Sequence, residues 1–283
     1  MVYGGTKQFE INIISKLKNI FKFGTEDCEA FTYVGIDLKQ NPDFSIDISQ
    51  NDYIKSISEI YIPTERKNNK ESPLNNNERT LFRSTVGQLN WASGISRPDI
   101  SFAVCEMSTK FNNPTISDVI KVNKIVKRLK LSTAFIKIPQ MNLKSLYIKL
   151  FTDASFNNLP NGGSQAGQII FLSDNQKSCP LFWNSSRIKR VARSTITSET
   201  LSLSDGCDTA MFIKALVSET IEINAQSSIK INAYIDNQSL HDLLHNTKHA
   251  LEKRLVLDIS SLREMIDRKE VTVTWVDNKK TSQ

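Results

Sequence analysis

The sequence predicts a mixed-sheet α/β fold in its second half, preceded by a mostly helical region with a small β element. Two observations carry this. From residue 146 onward, strand-length apolar runs and helical stretches follow in the order strand, strand, strand, long helix, strand, helix, helix, strand. Upstream, residues 78–131 keep helical spacing, broken at Pro98 and Pro114. The 283 residues suffice for one large domain or two to three small ones with a sizeable core.

The elements follow from local pattern. Phe9, Ile13, Leu17 and Ile20 recur at helical spacing within 7–23, and Gly24 supplies a stop. Phe31–Leu38 reads as one strand and Phe44–Ile48 as another, with Asn41-Pro42-Asp43 as the turn between them. Residues 63–77 are rich in Asn, Lys and Pro and read as a linker or exposed loop. Within 119–130, Val122, Ile125, Val126 and Leu129 make one helix face, while Lys121, Lys124, Lys127, Arg128 and Lys130 make the rest. Pro139 ends this region. Strands are expected at 146–153, 167–172, 180–184, 229–235 and 271–276, and helices at 195–218, 238–245 and 250–268. The implied divisions are 1–62, 63–77, 78–140 and 141–283.

Hydrophobic content of 39% and charged content of 23% are ordinary for a globular protein. A net charge of +6 suits a polyanionic partner without requiring one. Cys28, Cys105, Cys179 and Cys207 are scattered with no C-x-x-C pair, which argues against a zinc knuckle or dithiol redox motif and for reduced thiols of cytosol or nucleus. No apolar run reaches about 18 residues, so no membrane span is expected. Met1–Thr6 lacks the basic and apolar regions of a signal peptide.

Three acids stand in suggestive settings. Asp153 follows the apolar run Leu146–Thr152, Asp236 follows Ile229–Ile235, and Glu199 falls on the apolar stripe Ile196, Leu203, Cys207, Ala210, Ile213 and Val217 of the long helix. A lone carboxylate on a core face is costly unless paired or bound to metal. Ligands of open sheets bind at strand carboxyl ends, where three acids could hold two divalent ions. Each acid also has a structural reading: Asp153 capping a turn, Glu199 favoured by the helix dipole, Asp236 as an N-cap. His241, His245 and His249 recur every four residues, but Asn246-Thr247 suggests the helix ends before His249, so surface or capping histidines are expected rather than a zinc site. Arg187, Lys189, Arg190 and Arg193, just before Glu199, and Lys124, Lys127 and Arg128 form basic clusters that fit either solvated surface or phosphate contacts.

Thr152-Asp153-Ala154-Ser155, Trp183-Asn184-Ser185-Ser186, Thr197-Ser198-Glu199 and Asp236-Asn237-Gln238-Ser239 resemble, in order, motifs of the ribonuclease H domain of Ty1/copia-type retrotransposon Pol polyproteins. Lys253-Arg254-Leu255, Asp258-Ile259 and Trp275-Val276-Asp277 fit its later part. Residues 6–140 resemble the reverse transcriptase of the same polyprotein downstream of its catalytic aspartates, most clearly at Arg83–Ala92 and Ser96–Ile100. The resemblance implies a ribonuclease H-like mixed five-stranded sheet with flanking helices over 141–283, a reverse-transcriptase palm remnant over 1–62 and a helical thumb/connection region over 78–140. It implies a hydrolase for the RNA strand of RNA–DNA hybrids, with Asp153, Glu199 and Asp236 holding Mg²⁺ (or Mn²⁺), and a cytoplasmic site, in virus-like particles, or a nuclear one. Other Pol segments, such as the reverse-transcriptase palm, are implied partners. The family's polymerase aspartates precede the segment that Met1–Thr6 resembles, and its fourth ribonuclease H aspartate follows the position of Gln283. The expectation is therefore a Pol fragment clipped at both ends, without a polymerase active site. The alternative is an inactive nucleic-acid-binding or structural remnant of a degenerate element.

Overall fold

The computed structural model describes residues 7–22, 24, 27–159, 162–221, 229–246 and 253–277. Two sheets organise the chain. A four-stranded antiparallel sheet has the order β1 (Ala30–Tyr33), β2 (Ile36–Gln40), β3 (Ile46–Ser49), β4 (Ile136–Ile138). A five-stranded sheet has the order β7 (Ser178–Arg187), β6 (Gly163–Ser173), β5 (Tyr147–Leu159), β8 (Lys230–Ile235), β9 (Val271–Trp275). β5, β6 and β7 are antiparallel neighbours, whereas β8 and β9 run parallel to β5, each reached through helices.

Several expectations needed correction. Helix α1 (Lys7–Phe9) passes through a π-helical turn (Glu10–Ile14) into α2 (Ser15–Ile20). The wider turn rotates the apolar face, so Ile14 is buried while Ile13 and Ile20 are exposed. Phe31–Leu38 is two strands, because Val34 and Gly35 both adopt positive φ (51° and 74°) and close a two-residue hairpin at the Tyr33–Ile36 pair. β4 went unread, being too short to show periodicity. It follows the helical region yet pairs with β3 through Ile46 and Ile138. Residues 63–77, by contrast, are exposed over most of their length; they carry the short helix α4 (Thr64–Lys67), after α3 (Asn51–Ser56), with Leu74 buried and Pro73 bridged to Thr115.

The helical region packs α5 (Asn76–Ile95), α6 (Ser101–Ser108) and α7 (Ile116–Leu131) around Phe82, Leu89, Val104, Met107, Val122 and Val126. Asn75 and Glu78 form a reciprocal capping box at the start of α5, and at α7 the Asp118 carboxylate accepts from the Thr115 N–H and hydroxyl. Arg97 is buried at the corner after α5, where it donates to both carboxylate oxygens of Asp99 and to the carbonyl and hydroxyl of Ser132. This region touches the five-stranded sheet directly: Trp183 Nε1 donates to the Ser93 carbonyl at 2.7 Å, capping an open end of α5, and Gln165 Nε2 donates to Cys105 Sγ at 3.4 Å.

The second core lies between the five-stranded sheet and α8 (Thr195–Thr220), α9 (Gln238–His245) and α10 (Val256–Asp267). A tight contact in this core is at Gly206 of α8. A Cβ there would sit 2.7 Å from Thr152 Cγ2 and 3.2 Å from a Leu150 methyl on β5. In an open helix interior alanine is better than glycine by about 1 kcal/mol. Here the overpacking term wins, so Gly206→Ala is expected to lower unfolding free energy by about 1–3 kcal/mol in urea denaturation. Adding Thr152→Ser, which removes the obstructing methyl, should recover part of that loss. A stabilised Gly206→Ala protein would show that helix and strand are not pressed together.

Candidate metal centre

Three separate elements deliver the three acids. Asp153 lies within β5, which continues to Leu159 rather than ending at the acid as the apolar run implied. What ends near it is the parallel ladder with β8, at Phe151–Tyr234. Asp153, within β5, and Asp236, just past the end of β8, each stand two residues beyond that pair, so the chain direction carries both acids to the same level. Glu199 comes from α8, laid across β5 and β6 by the Gly206 contact and by Ser202, whose hydroxyl donates to the Asp153 carbonyl at 3.1 Å. Ligand oxygens of Asp153, Glu199 and Asp236 lie within 4.8 Å of one another.

The structural readings of these acids do not hold. Ser194 caps α8 through the Thr197 N–H, so Glu199 sits beyond the first turn, where the dipole acts weakly. Asn237, not Asp236, caps α9 by accepting from the Leu240 N–H. Asp153 is in extended strand, not a turn. Trp275 Nε1 donates to the Asp236 carbonyl at 3.1 Å and ties that loop to β9.

Glu199 is 4% exposed, and its Oε2 has no hydrogen-bond partner among the described residues. Burial, then the neighbouring Asp153 and Asp236 charges, push its carboxyl up to about 8, with the Ala154 backbone N–H opposing. Burial and Asp236 likewise raise Asp153, again opposed by the Ala154 N–H. Three converging carboxylates and a buried Glu199 oxygen without a hydrogen-bond partner among the described residues fit divalent metal coordination, since a bound cation offsets the repulsion and satisfies that acceptor.

The basic residues are distributed otherwise. Lys124, Lys127 and Arg128 are exposed on α7, in the helical region, where Lys127 reaches Glu59 at 3.4 Å and Arg128 reaches Asp99 at 3.8 Å. Arg187 ends β7 with its guanidinium folded over Gly163, and Lys189 and Arg193 are exposed on the segment leading into α8. Arg190 is engaged with Asp258 of α10. His241 and His245 stack at 4.3 Å on α9, while His249 lies outside the described residues. The four cysteines are free. Sequence reading missed Ser202, Gly206 and Trp275 as supports of the site. An isolated glycine inside a long helical pattern was the signal available for Gly206.

No protein-family model matches the chain. The transposon Ty5-1 protein of Saccharomyces cerevisiae is 25% identical over 194 residues, 63% of this chain and 59% of that protein. The Pol polyprotein of transposon RE1 from Arabidopsis thaliana is 25% identical over 271 residues, 90% of this chain and 18% of the polyprotein. That of transposon TNT 1-94 from Nicotiana tabacum is 26% identical over 200 residues, covering 70% of this chain and 14% of its own length. The homologues of this chain are retrotransposon Pol polyproteins. It spans little more than half of the Ty5-1 protein and under a fifth of the plant polyproteins. A foamy viral protease–reverse transcriptase, solved in complex with RNA/DNA hybrid, superposes over 98% of this chain and 34% of its own, with TM-score 0.52 and 13% identity. The likeness concerns the fold alone, which here is a mixed five-stranded sheet with flanking helices preceded by a helical region. No helix among the described residues is long and apolar enough to cross a membrane.

The raised Glu199 carboxyl has a signed consequence. The folded protein holds a proton that the unfolded chain releases above its ordinary value of 4.5, so this contribution to stability is full below that pH and is lost as pH rises to about 8. In EDTA, Glu199→Gln should therefore melt higher than wild type at pH 8, with the advantage shrinking toward zero by about pH 5. Melting curves across that range check it, and an advantage that grew toward low pH would contradict the assignment.

Proposed function

We propose that this Pol-derived domain hydrolyses the RNA strand of RNA–DNA hybrids, using Asp153, Glu199 and Asp236 to hold divalent metal. The observation that carries the reading is the convergence of these three carboxylates within 4.8 Å around a buried, unpartnered Glu199 oxygen. The homology to retrotransposon Pol polyproteins supports it, as does the likeness in fold to a viral reverse transcriptase bound to hybrid.

When bound, two Mg²⁺ (or Mn²⁺) ions would supply activation of the attacking water and stabilisation of the leaving 3′ oxygen. The chain supplies the frame for this chemistry. Asp153 and Asp236 are exposed at the mouth of the cluster, where a scissile phosphate can approach, and Glu199 closes the cluster from the helix side. Ser202 and Trp275 hold the backbones of Asp153 and Asp236. The exposed cations Arg187, Lys189 and Arg193 offer contacts to backbone phosphates, which fix position without reading sequence. Recognition of hybrid by shape and 2′-hydroxyls, rather than by base sequence, suits these contacts to the backbone. As part of a Pol polyprotein, the domain would work in cytoplasm, virus-like particles or nucleus, beside other Pol segments.

Purified protein with labelled hybrid and Mg²⁺ or Mn²⁺ tests the reading. Cleavage of the RNA strand should require the divalent ion, stop with EDTA and fall by roughly 100-fold or more in Asp153→Asn, the scale of removing a group that stabilises the reacting centre. Cleavage undiminished by Asp153→Asn would refute the site. A wild-type protein that binds metal and hybrid yet never cleaves would instead identify an inactive binding remnant.

A further inference from the structure

Arg190 differs from the other cations of the segment between β7 and α8. Its Nη1 donates to both oxygens of Asp258 at 2.9 Å, and its Nη2 reaches the Arg254 carbonyl at 3.3 Å. Asp258 lies in the first turn of α10 with its side chain only 17% exposed, while Arg190 keeps 54% of its side chain in solvent. Asp205 of α8 also acts on Arg190. The middle of the basic segment is thus held against the start of α10. Arg187, Lys189 and Arg193 around it are exposed.

We propose that Arg190 is a positioning residue. Its bonds to Asp258 and the Arg254 carbonyl tether the β7–α8 segment to the start of α10, so that Arg187, Lys189 and Arg193 meet a nucleic-acid backbone in a fixed arrangement while Arg190 contacts no phosphate. Two physical points separate this from a simple basic patch. A phosphate approaching Arg190 would meet a charge already compensated by Asp258, so it would gain less there than at the neighbouring cations. A charge-assisted contact anchored on a mostly buried acid also restricts the backbone on either side of it. The segment leads within four residues to Ser194, the cap of α8, and α8 carries Glu199. The phosphate half of the inference rests on the duplex-binding reading above; the tether itself does not.

Two measurements on the full chain test it, for wild type, Arg190→Ala, Arg187→Ala and the charge-swapped pair Arg190→Asp with Asp258→Arg. The first is hydrogen exchange of the 188–194 amides without nucleic acid. The second is RNA–DNA hybrid binding in EDTA by fluorescence anisotropy over a salt series. Arg190→Ala should speed exchange and weaken binding by roughly two- to fivefold, the scale of a single partly exposed ion pair, with the slope of log affinity on log salt unchanged. Arg187→Ala should flatten that slope by about 0.9. The swapped pair should return both exchange and affinity toward wild type. The proposal is overturned if Arg190→Ala flattens the slope as Arg187→Ala does, or if the swap restores nothing. Unchanged exchange in Arg190→Ala overturns the tether whether or not hybrid binds. Wild type that binds no hybrid overturns the duplex reading and the phosphate half, and leaves the exchange result to decide the tether.

Discussion

The site depends on how closely α8 lies against β5. Gly206 is where the helix meets the strand, with no room for a Cβ, and Ser202 one turn earlier bonds the Asp153 carbonyl. Those two contacts fix the height and rotation of the helix, and hence where Glu199 emerges. A helix displaced by even a methyl group would carry Glu199 away from Asp153, because interiors packed at crystal-like density do not absorb such changes locally. The parallel register of β5 and β8 sets the second coordinate, placing Asp236 level with Asp153. The acid cluster is thus a consequence of backbone packing, not of flexible side chains seeking one another.

The arrangement opposes stability as it stands. Three carboxylates converge, one of them buried with an unpartnered oxygen, and the neighbouring charges add to the penalty of burial. Folds tolerate such local conflict where a ligand resolves it, and sequence-level rules are expected to fail at functional sites for the same reason. The surrounding core is conventional by contrast. Leu150, Leu203, Cys207, Ala210, Ile231 and Ala233 are fully buried or nearly so and supply the apolar burial against which the acids are held.

The five-stranded sheet was legible because each element carries its own period. The apolar stripe of α8 and the apolar runs of β5 and β8 dictate helix and strand without tertiary help, and the crossover order then fixes a mixed sheet. The three acids were legible as candidates, yet each had a local alternative that only the structure removes: Ser194 and Asn237 take the capping roles, and β5 runs on past Asp153. What the sequence hid is what depends on distant partners. The pairing of β4 with β3 joins residues on opposite sides of the helical region. The Val34-Gly35 turn interrupts an otherwise strand-like run, and the π-helical turn at Glu10–Ile14 moves an apolar face that 3.6-residue spacing had placed elsewhere. The engagement of Arg190 with Asp258 spans 68 residues, and no spacing rule reaches that far.

The central claim is that Asp153, Glu199 and Asp236 form one cation-binding centre assembled by the fold. Calorimetric titration of the metal-free protein with Mn²⁺ tests it most directly, alongside Asp153→Asn, Glu199→Gln and Asp236→Asn shown by circular dichroism to be folded. The account predicts saturable binding to wild type that each single substitution weakens by tenfold or more, on the order of losing a ligating or orienting group at a metal site. Wild type that binds no Mn²⁺, or variants that bind it as tightly as wild type, would contradict it.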